Sequence, residues 1–335
     1  MIMILIVMIT ILIPNEKMRS VMLGVTLAVL LILAGCGRST GDSEEDLRVI
    51  ATTSIWGDVV ANIVAGDATV DVLIPIGADA HDFEPTSGQI ASLHNADLVI
   101  ANGLGLEEAM ADTLQTAIAD GANVYEVAPD LDPLQLTDEE NEDDHGVDDE
   151  GEGESHDSEG ADPHVWFDPL RMATAAELIA ERLTEIDASV DWQQRAADYA
   201  AELIRADDEI SQIVGGIDPE ARKLVTNHEA MGYFAQRYEF EIIGVVIPGG
   251  STLADPSSAD LAALVAEIEH ENVSTIFAET TRPTRLAEAV AAEVGRDVTV
   301  VELYIESLGE PGSEADSLVG MLLTDARLIA ESLAR

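Results

Sequence analysis

Three of the seven histidines in this 335-residue chain sit where a fold could bring imidazoles together. His81 lies in Gly77-Ala78-Asp79-Ala80-His81-Asp82-Phe83-Glu84-Pro85, just after a predicted strand. His228 lies in Thr226-Asn227-His228-Glu229, also after a predicted strand, and His164 lies in Asp162-Pro163-His164-Val165-Trp166, before a predicted helix. Neutral imidazole is a borderline-soft donor that suits zinc, copper, nickel or iron. Three such donors plus a carboxylate make a four-coordinate zinc site. Spacing alone leaves two readings open for each: a ligand, or a surface or hydrogen-bonded core residue. His94 and His270 fall in helical stretches and are read as structural or surface residues. His145 and His156 belong to an acidic tract, either as solvated loop residues or as a weak, mobile metal-collecting arm.

The elements that must position these residues follow an α/β alternation. Apolar runs predict strands at 49–53, 70–76, 98–101 and 124–127, with helical spacing at 55–64, 89–95 and 106–119. Residues 171–183 and 191–214 read as helices, the second long enough to brace two lobes and stopped by Gly215-Gly216. A second set follows: strands at 223–226, 241–247, 273–278 and 298–303, and helices at 230–238, 258–269, 286–294 and 318–333. The pattern is lobe, helix, lobe, with no close internal sequence repeat. In open α/β sheets ligands bind beyond the carboxyl ends of strands, where His81 and His228 are placed. The expected organisation is a signal region at 1–36, a tether at 37–46, a first lobe at 47–186, a linking helix at 187–215 and a second lobe at 216–335. A disordered acidic loop at 138–161 interrupts the first lobe, because residues 138–162 hold fourteen acids and no Lys or Arg.

Net charge is -49, from 65 acids against 16 bases, which argues against nucleic-acid binding. The acidity is either a solvated surface or a field that concentrates cations. The single cysteine, Cys36, precludes an intrachain disulfide. It closes Leu33-Ala34-Gly35-Cys36 after an apolar run at 21–34 preceded by Lys17 and Arg19. That run of fourteen residues is too short for a bilayer, which needs about 20. It resembles a bacterial lipoprotein signal in which Cys36 is acylated, with Met18 as the expected start. The expected location is extracytoplasmic, lipid-anchored to the bacterial cell membrane.

From Leu47 to Arg335 the chain resembles the solute-binding proteins of zinc and manganese ABC importers. The likeness rests on the 77–85 stretch, Asn-Gly-Leu-Gly-Leu-Glu at 102–107, and Asp-Pro-His-Val-Trp-Phe-Asp-Pro at 162–169 behind its acidic loop. Thr-Asn-His-Glu-Ala-Met-Gly-Tyr-Phe at 226–234, Phe-Ala-Glu at 277–279 and Leu-Tyr-Ile-Glu-Ser-Leu-Gly at 303–309 continue it. The resemblance implies two Rossmann-like lobes joined by one long rigid helix, with the ion in the cleft. It implies ligands His81 and His164 from the first lobe and His228 from the second. Manganese-type members typically carry a carboxylate at the position of His228, so zinc is expected, with manganese or iron as the alternative. Glu306 stands where the family commonly has an Asp ligand, and becomes the expected fourth donor. The implied partners are a membrane permease with its ATPase; the chain is read as a monomer and not as an enzyme. A zinc hydrolase is the competing class, but there is no His-Glu-x-x-His helix, and Glu229 is the only base candidate beside the histidines. An adhesin that merely keeps the fold is the other.

Overall fold

Apolar runs and capped helices alternate to give two parallel sheets with the same internal order. The computed structural model describes residues 47–136 and 160–334; Cys36, His145 and His156 lie outside the described residues. The first sheet contains β1 (Leu47–Ala51), β2 (Ala68–Val72), β3 (Leu98–Ala101) and β4 (Val124–Glu126), in the order β2-β1-β3-β4. The second contains β5 (Lys223–Thr226), β6 (Glu241–Val245), β7 (Thr275–Glu279) and β8 (Thr299–Leu303), in the order β6-β5-β7-β8. All pairings are parallel; Val49 stands against Leu98, and Thr226 against Phe277. The interior strands β3 and β7 are buried along their whole length, as strands covered on two faces must be.

Short polar side chains start the helices that cross between strands. Thr53 caps α1 (Ser54–Val64), and Thr86 forms a capping box with Gln89 at α2 (Ser87–Leu93). The first lobe continues with α3 (Ala111–Ala119) and α4 (Pro169–Ile186), the latter capped by Asp168 with Pro169 in its first turn. Asp191 caps the 23-residue α5 (Trp192–Val214), which is about 35 Å long at 1.5 Å per residue. The second lobe carries α6 (Gly232–Tyr238), α7 (Ser258–His270) and α8 (Arg285–Glu293), and α9 (Leu318–Leu333) closes the described chain. Helix α5 buries Trp192, Ala196, Tyr199, Leu203 and Ile210 along one stripe. That stripe packs on α4 and α1, and α9 lies against α5 as well. Among the described residues no helix is long and apolar enough to cross a membrane.

The main core runs from Trp56, Trp166 and Trp192 through to Tyr233, Phe234 and Phe277. A smaller core of Val225, Ile268, Ile276 and Val290 lies within the second lobe. Several element bounds differ from those expected, and two of the differences show why. The run at 70–76 forms a strand only at Ala68–Val72, although Leu73 and Ile74 still donate to the carbonyls of Ala51 and Thr52. The expected helix at 106–119 begins as a 3-10 turn at Glu108–Met110, because the Ala109 amide donates outward to the His81 carbonyl at 3.0 Å. The sequence has no close repeat, yet the two sheets share one topology: strand order depends on burial pattern and crossover, not on residue identity.

Candidate metal centre

Loops leaving the carboxyl ends of both sheets converge on one buried cluster. His81 follows β2, His228 follows β5 and Glu306 follows β8, while His164 precedes the 3-10 turn Val165–Phe167 that leads into α4. All four are at most 2% exposed. One donor atom from each lies within 4.8 Å of every other. Glu306 Oε1 is 3.2 Å from His81 Nε2, 3.2 Å from His228 Nε2 and 4.0 Å from His164 Nε2. The Nε2 atoms of His164 and His228 are 3.1 Å apart. Donors about 2.0–2.1 Å from a tetrahedral zinc ion stand about 3.3 Å from one another, so small shifts would seat one. Neither ring nitrogen of His81, nor Glu306 Oε1, has a well-formed hydrogen bond. Buried polar atoms left this way call for a ligand.

Each histidine is held by a short polar side chain two residues before it. Asp79 Oδ1 accepts from the His81 amide at 2.8 Å, and Asp162 Oδ1 accepts from the His164 amide at 2.9 Å. At His228 the position belongs to Thr226, whose hydroxyl donates to the His228 carbonyl at 2.8 Å. Asp162 Oδ1 also meets His164 Nδ1 at 2.8 Å, which puts the proton on Nδ1 and frees Nε2 to face the centre. Glu279 Oε1 stands 3.4 Å from His228 Nδ1, an ion-pair distance without a well-formed hydrogen bond, and sets a negative charge behind that ring. Asn102 takes the Trp56 indole N–H at 2.9 Å and donates to the Pro163 carbonyl at 3.0 Å, fixing the residue before His164. Buried Glu107 accepts from Thr52 Oγ1 and the amides of Asn102 and Gly103, setting the turn after β3. Gly103 has φ +80 there, and a Cβ would lie 3.0 Å from that of Glu126. These supporting roles were not expected, although Asp-x-His recurs at Asp79-Ala80-His81 and Asp162-Pro163-His164 and could have signalled them.

Glu306 is fastened to the first lobe although its strand belongs to the second. The Ala80 amide donates to Glu306 Oε2 at 3.1 Å, and Oε1 is the oxygen that faces the histidines. Its neighbours are tied likewise: the Trp166 indole donates to the Ile305 carbonyl at 2.8 Å, Gly77 N to Ser307 Oγ at 2.8 Å, and Leu308 N to Ser54 Oγ at 3.0 Å.

The electrostatics favour a cation in the middle. Burial disfavours the charged form of His164 and, against the pull of Asp162, holds its pKa below the ordinary value. Burial also opposes charge on His228, but Glu279 and Glu306 outweigh it and push its pKa up to about 10. Burial works against the Glu306 carboxylate, yet His228 and His81 hold it well below the usual range. Burial and then the Glu306 charge raise Asp79. In the ion-free protein a proton on His228 therefore occupies the electrostatic role of the cation.

His94 and His270 stand apart from this centre and are exposed. His270 Nδ1 meets Glu271 at 2.9 Å and Glu267 at 3.7 Å on the surface of α7, where Lys223 already pairs with Glu271.

The sequence matches the family of the periplasmic zinc-uptake complex component A (ZnuA) over residues 49–332. Among curated relatives, the manganese-binding lipoprotein MntA of Halalkalibacterium halodurans is 28% identical over 303 residues, covering 89% of this chain and 93% of that protein. The zinc-binding protein TroA of Treponema pallidum is 30% identical over 295 residues, covering 86% and 89%. The solved structure of periplasmic zinc-binding TroA from Treponema pallidum superposes with a TM-score of 0.76 at 28% identity, covering 87% of this chain and all of that one. This chain belongs to the ZnuA/TroA family of metal-binding substrate-binding proteins of ABC transporters, which are not enzymes.

Proposed function

We propose that this family member captures zinc outside the cytoplasm and delivers it to a membrane permease driven by its ATPase, with His81, His164, His228 and Glu306 as the ligands. The observation that carries the reading is the donor set: three imidazole nitrogens and one carboxylate oxygen. Oε1 is the Glu306 oxygen 3.2 Å from both His81 Nε2 and His228 Nε2, and with that one oxygen the count closes at four. Four donors, three of them nitrogen, suit tetrahedral zinc; manganese favours more numerous oxygen donors in octahedral geometry. His228 supports zinc over manganese, as a third nitrogen where manganese-type members typically place a carboxylate. The zinc ion is cargo: the first lobe offers His81, His164 and Glu306, and the second brings His228 across to close the shell. In this reading Cys36 carries the lipid anchor, and His145 and His156 gather ions loosely.

Manganese is the second reading, favoured by the manganese-binding relative from Halalkalibacterium halodurans. Competition calorimetry on protein purified without added metal separates them. Zinc bound at least about 100-fold more tightly than manganese is expected, on the general preference of imidazole donors. Equal affinity for the two ions would sink the zinc assignment.

A further inference from the structure

We propose that Asp79, Arg282 and Thr252 form a latch between the lobes that keeps the cleft shut around its ion, with Asp79 as the positioning residue that couples the latch to His81. This rests on the reading of the four-residue centre as an ion site. Asp79 belongs to the first lobe. Arg282 follows β7 and Thr252 lies beyond β6, on two separate loops of the second lobe. Arg282 Nε donates to Asp79 Oδ2 at 2.6 Å, and Thr252 Oγ1 donates to the same oxygen at 2.8 Å. Arg282 Nη2 donates in turn to Thr252 Oγ1 at 3.1 Å, so the three side chains close a ring. Asp82 Oδ2, 3.7 Å from Arg282 Nη2, adds a second negative charge. Beside them Ser251 Oγ donates to Glu108 Oε2 at 2.6 Å, again from second lobe to first.

The two oxygens of Asp79 divide the work. Oδ1 holds the His81 amide, within the first lobe; both side-chain donors to Oδ2 come from the second. The Asp79 side chain is only 4% exposed, and a buried carboxylate without its counter-charge is strongly unfavourable. Separating the lobes removes both donors from Oδ2 and leaves Oδ1 pulling on the His81 backbone alone. Closure satisfies the carboxylate and steadies the histidine in one movement. Arg282 is suited to this because its charge is permanent and its fork bonds Asp79 and Thr252 together.

The test is stopped-flow release of zinc from the loaded full chain into excess chelator, with zinc association measured separately. Arg282→Ala should release zinc about 10-fold faster or more, with association changed less than about 2-fold, a coupling of ordinary size between two parts of one protein. Arg282→Lys should recover part of the loss, since an ammonium restores charge but not the fork. Thr252→Val, a milder change, should speed release about 3-fold, and serves if Arg282→Ala fails to fold. Release unchanged in both Arg282→Ala and Thr252→Val, with His81→Ala abolishing zinc binding, overturns the latch and leaves the ion site standing. Full zinc affinity in His81→Ala overturns the site reading, and the latch with it.

Discussion

Zinc capture at pH 7 should expel close to one proton, and His228 should be its source. The ion-free centre holds His228 up to about 10 against Glu279 and Glu306. Three units above pH 7 means about 1000 protonated molecules for each neutral one. A zinc ligand must offer a lone pair, so binding displaces that proton. His164 contributes little, because burial holds it low and it is already neutral. Apparent zinc affinity should therefore rise about tenfold per pH unit between 7 and 9 and level off as pH passes through about 10. The sign reverses for the ion-free fold. A raised folded pKa stabilises fully below the unfolded value of about 6.5, and the contribution is lost as pH climbs through about 10. Calorimetric titration at pH 7.5 in two buffers of different ionisation enthalpy gives the proton count from the change in apparent heat. Glu279→Gln supplies the perturbation: it removes the charge that attracts the His228 proton most strongly, so the count should fall and the pH slope should move to lower pH. A count near zero in the unaltered protein, or an unaltered count in Glu279→Gln, would refute the reasoning.

Replacing His81 or His228 with Ala should each weaken zinc binding by more than the roughly 10–100-fold typical of supporting groups, with circular dichroism unchanged. Asp162→Asn keeps an acceptor for His164 Nδ1 but loses the charge, and should cost about 10-fold in zinc affinity by competition titration. Deleting 139–159 should leave equilibrium affinity intact, because the stem is closed by the Gln135–Ala161 bridge and by Leu136 N donating to Gly160 O; a large loss would place a ligand in the deleted stretch. Trp56→Ala should lower unfolding free energy by about 3–5 kcal/mol in denaturant titration, since the ring is fully buried and its N–H satisfies Asn102.

The elements were legible where apolar periodicity met a clear cap or stop. β3, β5 and α9 lie where the sequence places them, because Leu98–Ala101 and Lys223–Thr226 are short segments with apolar centres, each followed by an Asn, and Ser317 caps a long amphipathic stretch. The 3-10 turn at Glu108–Met110 was not, because the bond that interrupts helix formation comes from the distant His81 carbonyl. The centre was half legible. His81 and His228 stand out as polar residues after strands, but 225 positions separate His81 from Glu306, and no spacing rule spans that distance. Glu306 came from likeness to a family, and its attachment to the first lobe through Ala80 could be seen only in three dimensions.

The closing helix makes the first lobe depend on the last part of the chain. Helix α9 packs on α5 and α1; Leu318 N donates to Asp58 Oδ2 across 260 positions, and Leu308 N to Ser54 Oγ across 254. A polypeptide made from its N-terminus therefore presents β1 and α1 long before the segment that finishes their packing. Closing so long a loop costs entropy before any contact repays it, and topologies of this kind fold slowly. The early half must wait with apolar surface uncovered, and a chain cut short after α5 would lack a face of its first core rather than only its second lobe.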